Sequence, residues 1–75
     1  MTKLPVLSGK KIVKALSKVG FIGIRQKGSH LIMAKETPEG KIALVVPVHK
    51  EVDRGTLLEI IRQSKLKREE FLKLL

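Results

Sequence analysis

Lys27-Gly28-Ser29-His30 is the stretch of sequence that decides the fold. Gly28 and Ser29 fit a two-residue hairpin turn with glycine in the first central position. The turn joins a predicted strand over residues 21–27 to a second strand over residues 30–36. Because the turn fixes which residues of the two strands face each other, it sets His30 opposite Lys27 at the start of the second strand.

A second turn adds a third strand to this hairpin. Thr37-Pro38-Glu39-Gly40 fits a type I turn with proline second and glycine fourth, and a strand over residues 41–47 follows. A bulge after Gly40 would shift the register of this second hairpin by one residue. The three strands therefore predict an antiparallel sheet in chain order.

A helix is predicted before the strands. Residues 1–7 form a lead-in that Pro5 keeps extended. Ser8 can cap a helix that begins at Gly9 or Lys10, and apolar residues recur behind it at helical spacing. Gly20 suits the left-handed residue that ends such a helix.

A second helix is predicted after the strands. It follows a loop over residues 48–52 and is capped either by Asp53 or by a capping box of Thr56 and Glu59. It runs to about Ser64, and a short last helix follows over residues 67–74. The fold class is therefore α+β, with the order α-β-β-β-α, a three-stranded antiparallel sheet and a short extra C-terminal helix.

The turns also predict the register and the faces of the sheet, because side chains alternate along a strand. The expected pairs are Lys27–His30, Arg25–Ile32, Gly23–Ala34, Glu36–Lys41, Ala34–Ala43, Ile32–Val45 and His30–Pro47. One face then carries the aliphatic residues Ile22, Ile24, Leu31, Met33, Ile42, Leu44 and Val46. Both main helices are expected on that face. The open face carries Arg25, Lys27, His30, Ile32, Ala34, Val45 and Pro47.

Length and composition limit the classes of protein. Seventy-five residues predict a single domain over residues 1–75 with a thin margin of stability. The absence of cysteine excludes a disulfide framework and a thiolate zinc site. No apolar run reaches the roughly 20 residues of a membrane-spanning helix, and residues 1–5 lack the apolar core of a signal peptide. We therefore expect a cytoplasmic protein with no membrane partner.

The charge points to a polyanionic partner. Sixteen Lys and Arg against seven Asp and Glu give a formal net charge of +9. Charge at this density indicates nucleic acid, an acidic protein or an anionic surface, and we favour nucleic acid. The alternative is a solvated, lysine-rich surface. Lys10, Lys14 and Lys18 form an outer stripe on the first helix that fits either interpretation.

His30 is the residue whose position suggests chemistry. Neighbouring cations favour the neutral imidazole, which is a base. Such a base can take the proton of a ribose 2′-hydroxyl, and Lys27 or Arg25 can neutralise charge on the phosphoryl oxygens. The alternative is an ordinary surface histidine at a strand start. His30 and His49 lack a good third ligand for zinc, and the scattered carboxylates do not suggest a two-metal nuclease, so we predict neither metal nor cofactor.

The ordered set of motifs resembles the HicA family, small toxins of toxin–antitoxin pairs that cleave messenger RNA. The resemblance covers nearly the whole chain and runs through Ser8-Gly9, Ile12-Val13-Lys14-Ala15-Leu16, Gly20-Phe21, Arg25-Gln26-Lys27-Gly28-Ser29-His30, Val46-Pro47-Val48-His49, Gly55-Thr56-Leu57-Leu58-Glu59-Ile60-Ile61-Arg62-Gln63-Ser64 and Phe71-Leu72. No one of these motifs is specific alone. Their order and separations in a chain of this length are specific.

The resemblance implies a fold like that of a double-stranded RNA-binding domain, a catalytic role for His30 and a HicB-type antitoxin that covers the His30 face. His49 matches a recurring histidine of the family. We expect the RNA contacts to come from Arg25, Lys27, Gly28, Ser29, His49, Lys10 and Lys14. The mixed face of Ile32, Ala34, Val45 and Pro47 offers apolar area to the antitoxin.

Two other functions remain open at this point. One is a non-catalytic RNA-binding module of the same fold, which would need the lysines but not His30. The other is a protein-interaction module that uses the apolar tail over residues 71–75. The competing interpretation of that tail is core packing, which we favour.

Overall fold

The computed structural model describes residues 4–75, so the first three residues of the predicted lead-in lie outside the described part. The element order is α1 (Gly9–Ser17), β1 (Ile22–Lys27), β2 (His30–Thr37), β3 (Gly40–Pro47), α2 (Arg54–Ser64) and α3 (Arg68–Leu72). The strands form one antiparallel sheet in the order β1-β2-β3. The predicted α+β class and α-β-β-β-α order are confirmed.

Helix α1 begins and ends where the sequence predicts. The Ser8 hydroxyl accepts a hydrogen bond from the Lys11 amide at 3.2 Å. At the other end Gly20 adopts a φ of +99°, and its amide donates to the Ser17 carbonyl. The Phe21 amide donates to the Leu16 carbonyl, which completes a Schellman motif. The motif turns the buried Phe21 ring into the core.

Helix α2 is capped by Asp53, not by the alternative box of Thr56 and Glu59. An Asp53 carboxylate oxygen accepts the Thr56 amide at 3.0 Å. Glu59 instead forms an ion pair with Arg62 on the exposed side of the helix. The short α3 spans fewer residues than the predicted 67–74, and its Phe71 is fully buried. Core packing is therefore the correct interpretation of Phe71.

Most of the predicted register is confirmed. Across the first turn Lys27 pairs with His30 and Arg25 with Ile32. Across the second turn the pairing is continuous, with Glu36–Lys41, Ala34–Ala43, Ile32–Val45 and His30–Pro47 as expected. No shift occurs after Gly40, so the central strand holds His30 between Lys27 and Pro47.

The predicted pair of Gly23 and Ala34 is wrong, because a β-bulge interrupts β1 between Gly23 and Arg25. Gly23 pairs with Met33 and Ile22 with Ala34, so Ile24 is the extra residue. One additional residue reverses the facing of everything before it. The bulge therefore moves Ile22 away from the face on which the sequence placed it.

The predicted assignment of side chains to the two faces of the sheet is wrong for the residues at the bulge. Ile22 and Ile24 are 65% and 51% exposed and do not belong to the buried face. Edge strand β1 is exposed along its whole length, while α1 and α2 both pack on β3. Ala34, which was expected to offer surface, is buried between its register neighbours Ile22 and Ala43.

The core lies between the helices and the face formed by β2 and β3. Its buried apolar residues are Leu4, Leu7, Ile12, Ala15, Leu16, Phe21, Met33, Leu44, Val46, Val52, Leu57, Ile60, Ile61 and Phe71. Leu31 and Ile42 are half-buried against it. Within residues 4–75, no helix has the length and apolar character needed to cross a bilayer.

Candidate nucleic-acid interface

The first hairpin turn presents His30 at the end of the sheet. Gly28 has a φ of +61° and Ser29 does not have a positive φ, which is the pattern of a type II′ turn. The side-chain amide of Gln26 donates a hydrogen bond from Nε2 to the Gly28 carbonyl at 3.0 Å and supports the turn. His30 follows directly, exposed and opposite Lys27, as predicted.

Two backbone hydrogen bonds hold the segment after β3, one to this turn and one to the first residue of α1. The Val48 amide donates to the Ser29 carbonyl at 2.6 Å, and the Gly9 amide donates to the His49 carbonyl at 2.8 Å. A Cβ atom on Gly9 would overlap the Pro47 carbonyl oxygen and lie 2.6 Å from the Val48 Cα. Glycine at the first residue of α1 therefore lets the helix meet the strand end and fix His49.

The two histidines of the chain are neighbours in space. The centroids of the His30 and His49 rings are 6.3 Å apart, with an interplanar angle of 68°. A hydrogen bond of 3.2 Å joins His49 Nε2 to the Ser29 hydroxyl. Both imidazoles are exposed to solvent, so a substrate can reach both at once.

Two cations stand beside His30 on the β1 side. Lys27 lies directly opposite it, and Arg25 lies two residues back on the same face. Both are exposed, and neither forms an ion pair within residues 4–75. They supply uncompensated positive charge next to the imidazole, which is what a phosphate requires.

On the β3 side of His30 lies a shallow groove of about 370 Å³. Its lining is His30, Val45, Pro47, His49, Glu51, Val52, Asp53 and Thr56. The Thr56 hydroxyl and backbone amide donate hydrogen bonds to the Asp53 carboxylate, and these bonds lower its pKa. The sequence pattern predicts only a capping role for Asp53 and no role for Glu51. The predicted pairing of His30 with Pro47 is the feature from which their position could have been predicted, because it brings the residues that follow Pro47 close to His30.

The stripe lysines Lys10, Lys14 and Lys18 follow one another along α1 and its C-cap, starting from the end of the helix that is hydrogen-bonded to His49. Lys10 follows Gly9, whose amide is bonded to His49. Lys14 lies one helical turn after Lys10. It lines a second groove, between α1 and the C-terminal residues Leu74 and Leu75. The Lys18 ammonium donates to the Leu74 carbonyl at 2.7 Å. Of the three stripe lysines, Lys10 is the one adjacent to the hydrogen bond between Gly9 and His49.

Metal-ligating side chains are not clustered in the described part. Among residues 4–75, no three His, Cys, Asp or Glu side chains are close enough together to hold a metal ion. The chemistry available at this end of the sheet comes from two imidazoles, two neighbouring cations and two carboxylates.

Comparison with models of protein families identifies a relationship. The family model described as "HicA toxin of bacterial toxin-antitoxin" matches residues 9–66 of the 75-residue chain. The matched region begins at the first residue of α1 and ends just after α2, so it includes His30, His49 and the whole sheet. A search of curated proteins finds no match.

Proposed function

The chain belongs to the HicA family of toxins from bacterial toxin–antitoxin pairs, and we propose that it acts as a metal-independent endoribonuclease on messenger RNA, with His30 as the general base. The observation that carries this proposal is the position of His30. It stands opposite Lys27 and 6.3 Å, centroid to centroid, from a second imidazole, that of His49. A base, a phosphate-binding cation and a second proton carrier thus meet at one exposed place.

The reaction begins at the ribose 2′-hydroxyl. Neutral His30 takes the hydroxyl proton, and the 2′-oxygen forms a bond to the adjacent phosphorus. The P–O5′ bond then breaks, leaving a 2′,3′-cyclic phosphate on one product and a 5′-hydroxyl on the other. General base catalysis of this kind contributes about 10²–10⁴-fold to the rate.

The leaving 5′-oxygen needs a proton, and in this proposal His49 donates it. The Nε2 atom of His49 is hydrogen-bonded to the Ser29 hydroxyl, and Nδ1 has no hydrogen bond within residues 4–75, so we assign the proton transfer to Nδ1. The two rings lie edge to face with centroids 6.3 Å apart, so the phosphate lies beside the pair, on the side of Lys27, and not between the rings. Lys27 and Arg25 stabilise the negative charge that develops on the phosphoryl oxygens.

The antitoxin is the second partner in this proposal. We assign it to a HicB-type protein that covers the His30 face, as a toxin acting on cytoplasmic RNA must be held inactive. Exposed Ile22, Ile24 and Val45 supply apolar area on the sheet, and Arg25 and Lys27 supply charge. A complementary antitoxin surface is therefore apolar with acidic residues around it.

The products of cleavage test this function. A long transcript incubated with the protein in EDTA should yield fragments that end in 2′,3′-cyclic phosphate and begin with 5′-hydroxyl. Fragments with 5′-phosphate would show attack by water and contradict the mechanism. An intact transcript, with RNA binding retained, would favour the non-catalytic RNA-binding module.

A further inference from the structure

His30 stands between two surfaces of opposite charge. On the β1 side are Lys27 and Arg25. On the β3 side the groove carries the carboxylates of Glu51 and Asp53. Since like charges repel, a phosphate is favoured on the β1 side and disfavoured in the groove. The groove is therefore better suited to an uncharged part of the RNA than to a phosphate.

The lining of the groove suits a nucleobase. Val45, Pro47 and Val52 provide an apolar floor, and the imidazoles of His30 and His49 provide flat surfaces for stacking. Proteins bind unstacked bases of single-stranded RNA by this combination of stacking and hydrogen bonds to the base edge. The base nearest to His30 is the one on the ribose whose 2′-hydroxyl loses its proton.

The two carboxylates differ in their availability to such a base. Asp53 already accepts hydrogen bonds from the Thr56 amide and hydroxyl, at 3.0 and 2.6 Å. The Glu51 carboxylate is exposed and forms no hydrogen bond or ion pair with residues 4–75. Glu51 is therefore the acceptor that this groove offers to a ligand.

We propose that the groove binds the base on the 5′ side of the cleaved bond and that Glu51 selects guanine there. This inference rests on the proposed ribonuclease function. An ionised carboxylate only accepts hydrogen bonds, through two oxygens side by side. Guanine presents two adjacent donors, N1–H and the 2-amino group, on its Watson–Crick edge. Adenine, cytosine and uracil each place a ring nitrogen or carbonyl acceptor beside their donor, and a carboxylate repels that acceptor.

The first experiment measures base preference without catalysis. The 3′-monophosphates of guanosine, adenosine, cytidine and uridine are titrated into the protein, and the amide signals of residues 28–30 and 49–53 are followed by NMR. The wild type should bind the guanosine nucleotide about tenfold more tightly than the others. Glu51→Gln, which replaces one acceptor by a donor, should reduce this preference to about twofold or less and favour adenosine.

The matched control is Glu39→Gln. It makes the same change of charge in the β2–β3 turn, at the opposite end of β2 from His30. This variant should keep the preference for guanosine. Equal affinities for the four nucleotides, undetectable binding of all of them, or an unchanged preference in Glu51→Gln would overturn the assignment of the groove.

A second experiment separates this inference from the ribonuclease proposal. DNA oligomers that contain one ribonucleotide have a single cleavable bond, and the base on that ribose is varied. Wild type should cleave the guanosine oligomer about tenfold faster than the other three. Equal cleavage of all four would overturn the base pocket and leave the ribonuclease intact. No cleavage of these oligomers or of long RNA would overturn the ribonuclease, and nucleotide binding would still decide the pocket.

Discussion

Ser29 and His49, twenty residues apart in the chain, are joined by a hydrogen bond of 3.2 Å between the serine hydroxyl and the histidine Nε2 atom. The bond connects the β1–β2 turn to the segment that follows β3. Together with the bond from the Val48 amide to the Ser29 carbonyl, it ties His49 to the residue directly before His30. Ser29 thus sets the relative position of the two imidazoles.

Removing the Ser29 hydroxyl should slow RNA cleavage. We expect Ser29→Ala to lower kcat by about tenfold, because His49 loses the group that orients it. His49→Ala should lower kcat at least as much. The two effects should not add in the double variant, since both act through His49. A multiplicative loss in the double variant would show that Ser29 and His49 act independently, and single-turnover cleavage measures this directly.

Lys27 should contribute one phosphate contact. Lys27→Ala is expected to weaken RNA binding and to reduce the slope of log affinity against log salt by about one. Lys73→Ala is the matched control, because Lys73 is exposed in the C-terminal tail, away from the β1–β2 turn. Titrations of labelled single-stranded RNA between low and physiological salt provide the measurement. Equal slopes for the two variants would contradict the placement of the phosphate.

The β-bulge predicts opposite outcomes for two aliphatic residues that the alternation pattern alone treats as equivalent. Leu44→Ala should lower the free energy of unfolding by roughly 2–5 kcal/mol, because the side chain is in the core. Ile22→Ala should change it by less than about 0.5 kcal/mol, because Ile22 is 65% exposed. Urea unfolding of both variants measures the difference. A large loss in Ile22→Ala would argue for the unbulged register.

Turn chemistry explains how much of this fold could be predicted. Gly28-Ser29 and Thr37-Pro38-Glu39-Gly40 allow few backbone arrangements, and they fixed the pairs around His30 correctly. The bulge at Ile24 could not be predicted. It lies at the end of β1 that is farther from the turn, where the strand is exposed and burial does not enforce strict alternation of side chains.

For the candidate site, too, the contacts within the hairpins could be predicted from the sequence and the long-range contacts could not. The register placed His30 between Lys27 and Pro47, and these contacts are local to the hairpins. The bond between Ser29 and His49 and the groove with Glu51 depend on the path of residues 48–53 after β3. That path is set by Gly9 against Val48 and by the bridge between Leu7 and Val52, which are distant in sequence.

Acid should destabilise the protein partly through Asp53. Hydrogen bonds from Thr56 lower the pKa of this carboxyl below its ordinary value of 3.8. Because the pKa of Asp53 is lower in the folded than in the unfolded protein, ionised Asp53 stabilises the fold fully at a pH above its unfolded pKa of 3.8. This stabilisation is lost as the pH falls from 3.8 through the lower pKa of the folded state. Asp53→Asn keeps a capping oxygen but cannot titrate. Its melting temperature should therefore fall less than that of the wild type between pH 5 and about pH 2.5. Identical pH profiles would contradict this role.

The role of His30 is the central claim, and cleavage of a long transcript in EDTA by wild type, His30→Ala and His30→Gln tests it most directly. Both variants should fold normally, because the side chain is exposed, and circular dichroism with thermal melting checks this. Cleavage should fall by about 10²–10⁴-fold in both, because neither a methyl group nor an amide can accept the 2′-hydroxyl proton at neutral pH. Undiminished cleavage by folded His30→Ala would contradict the account.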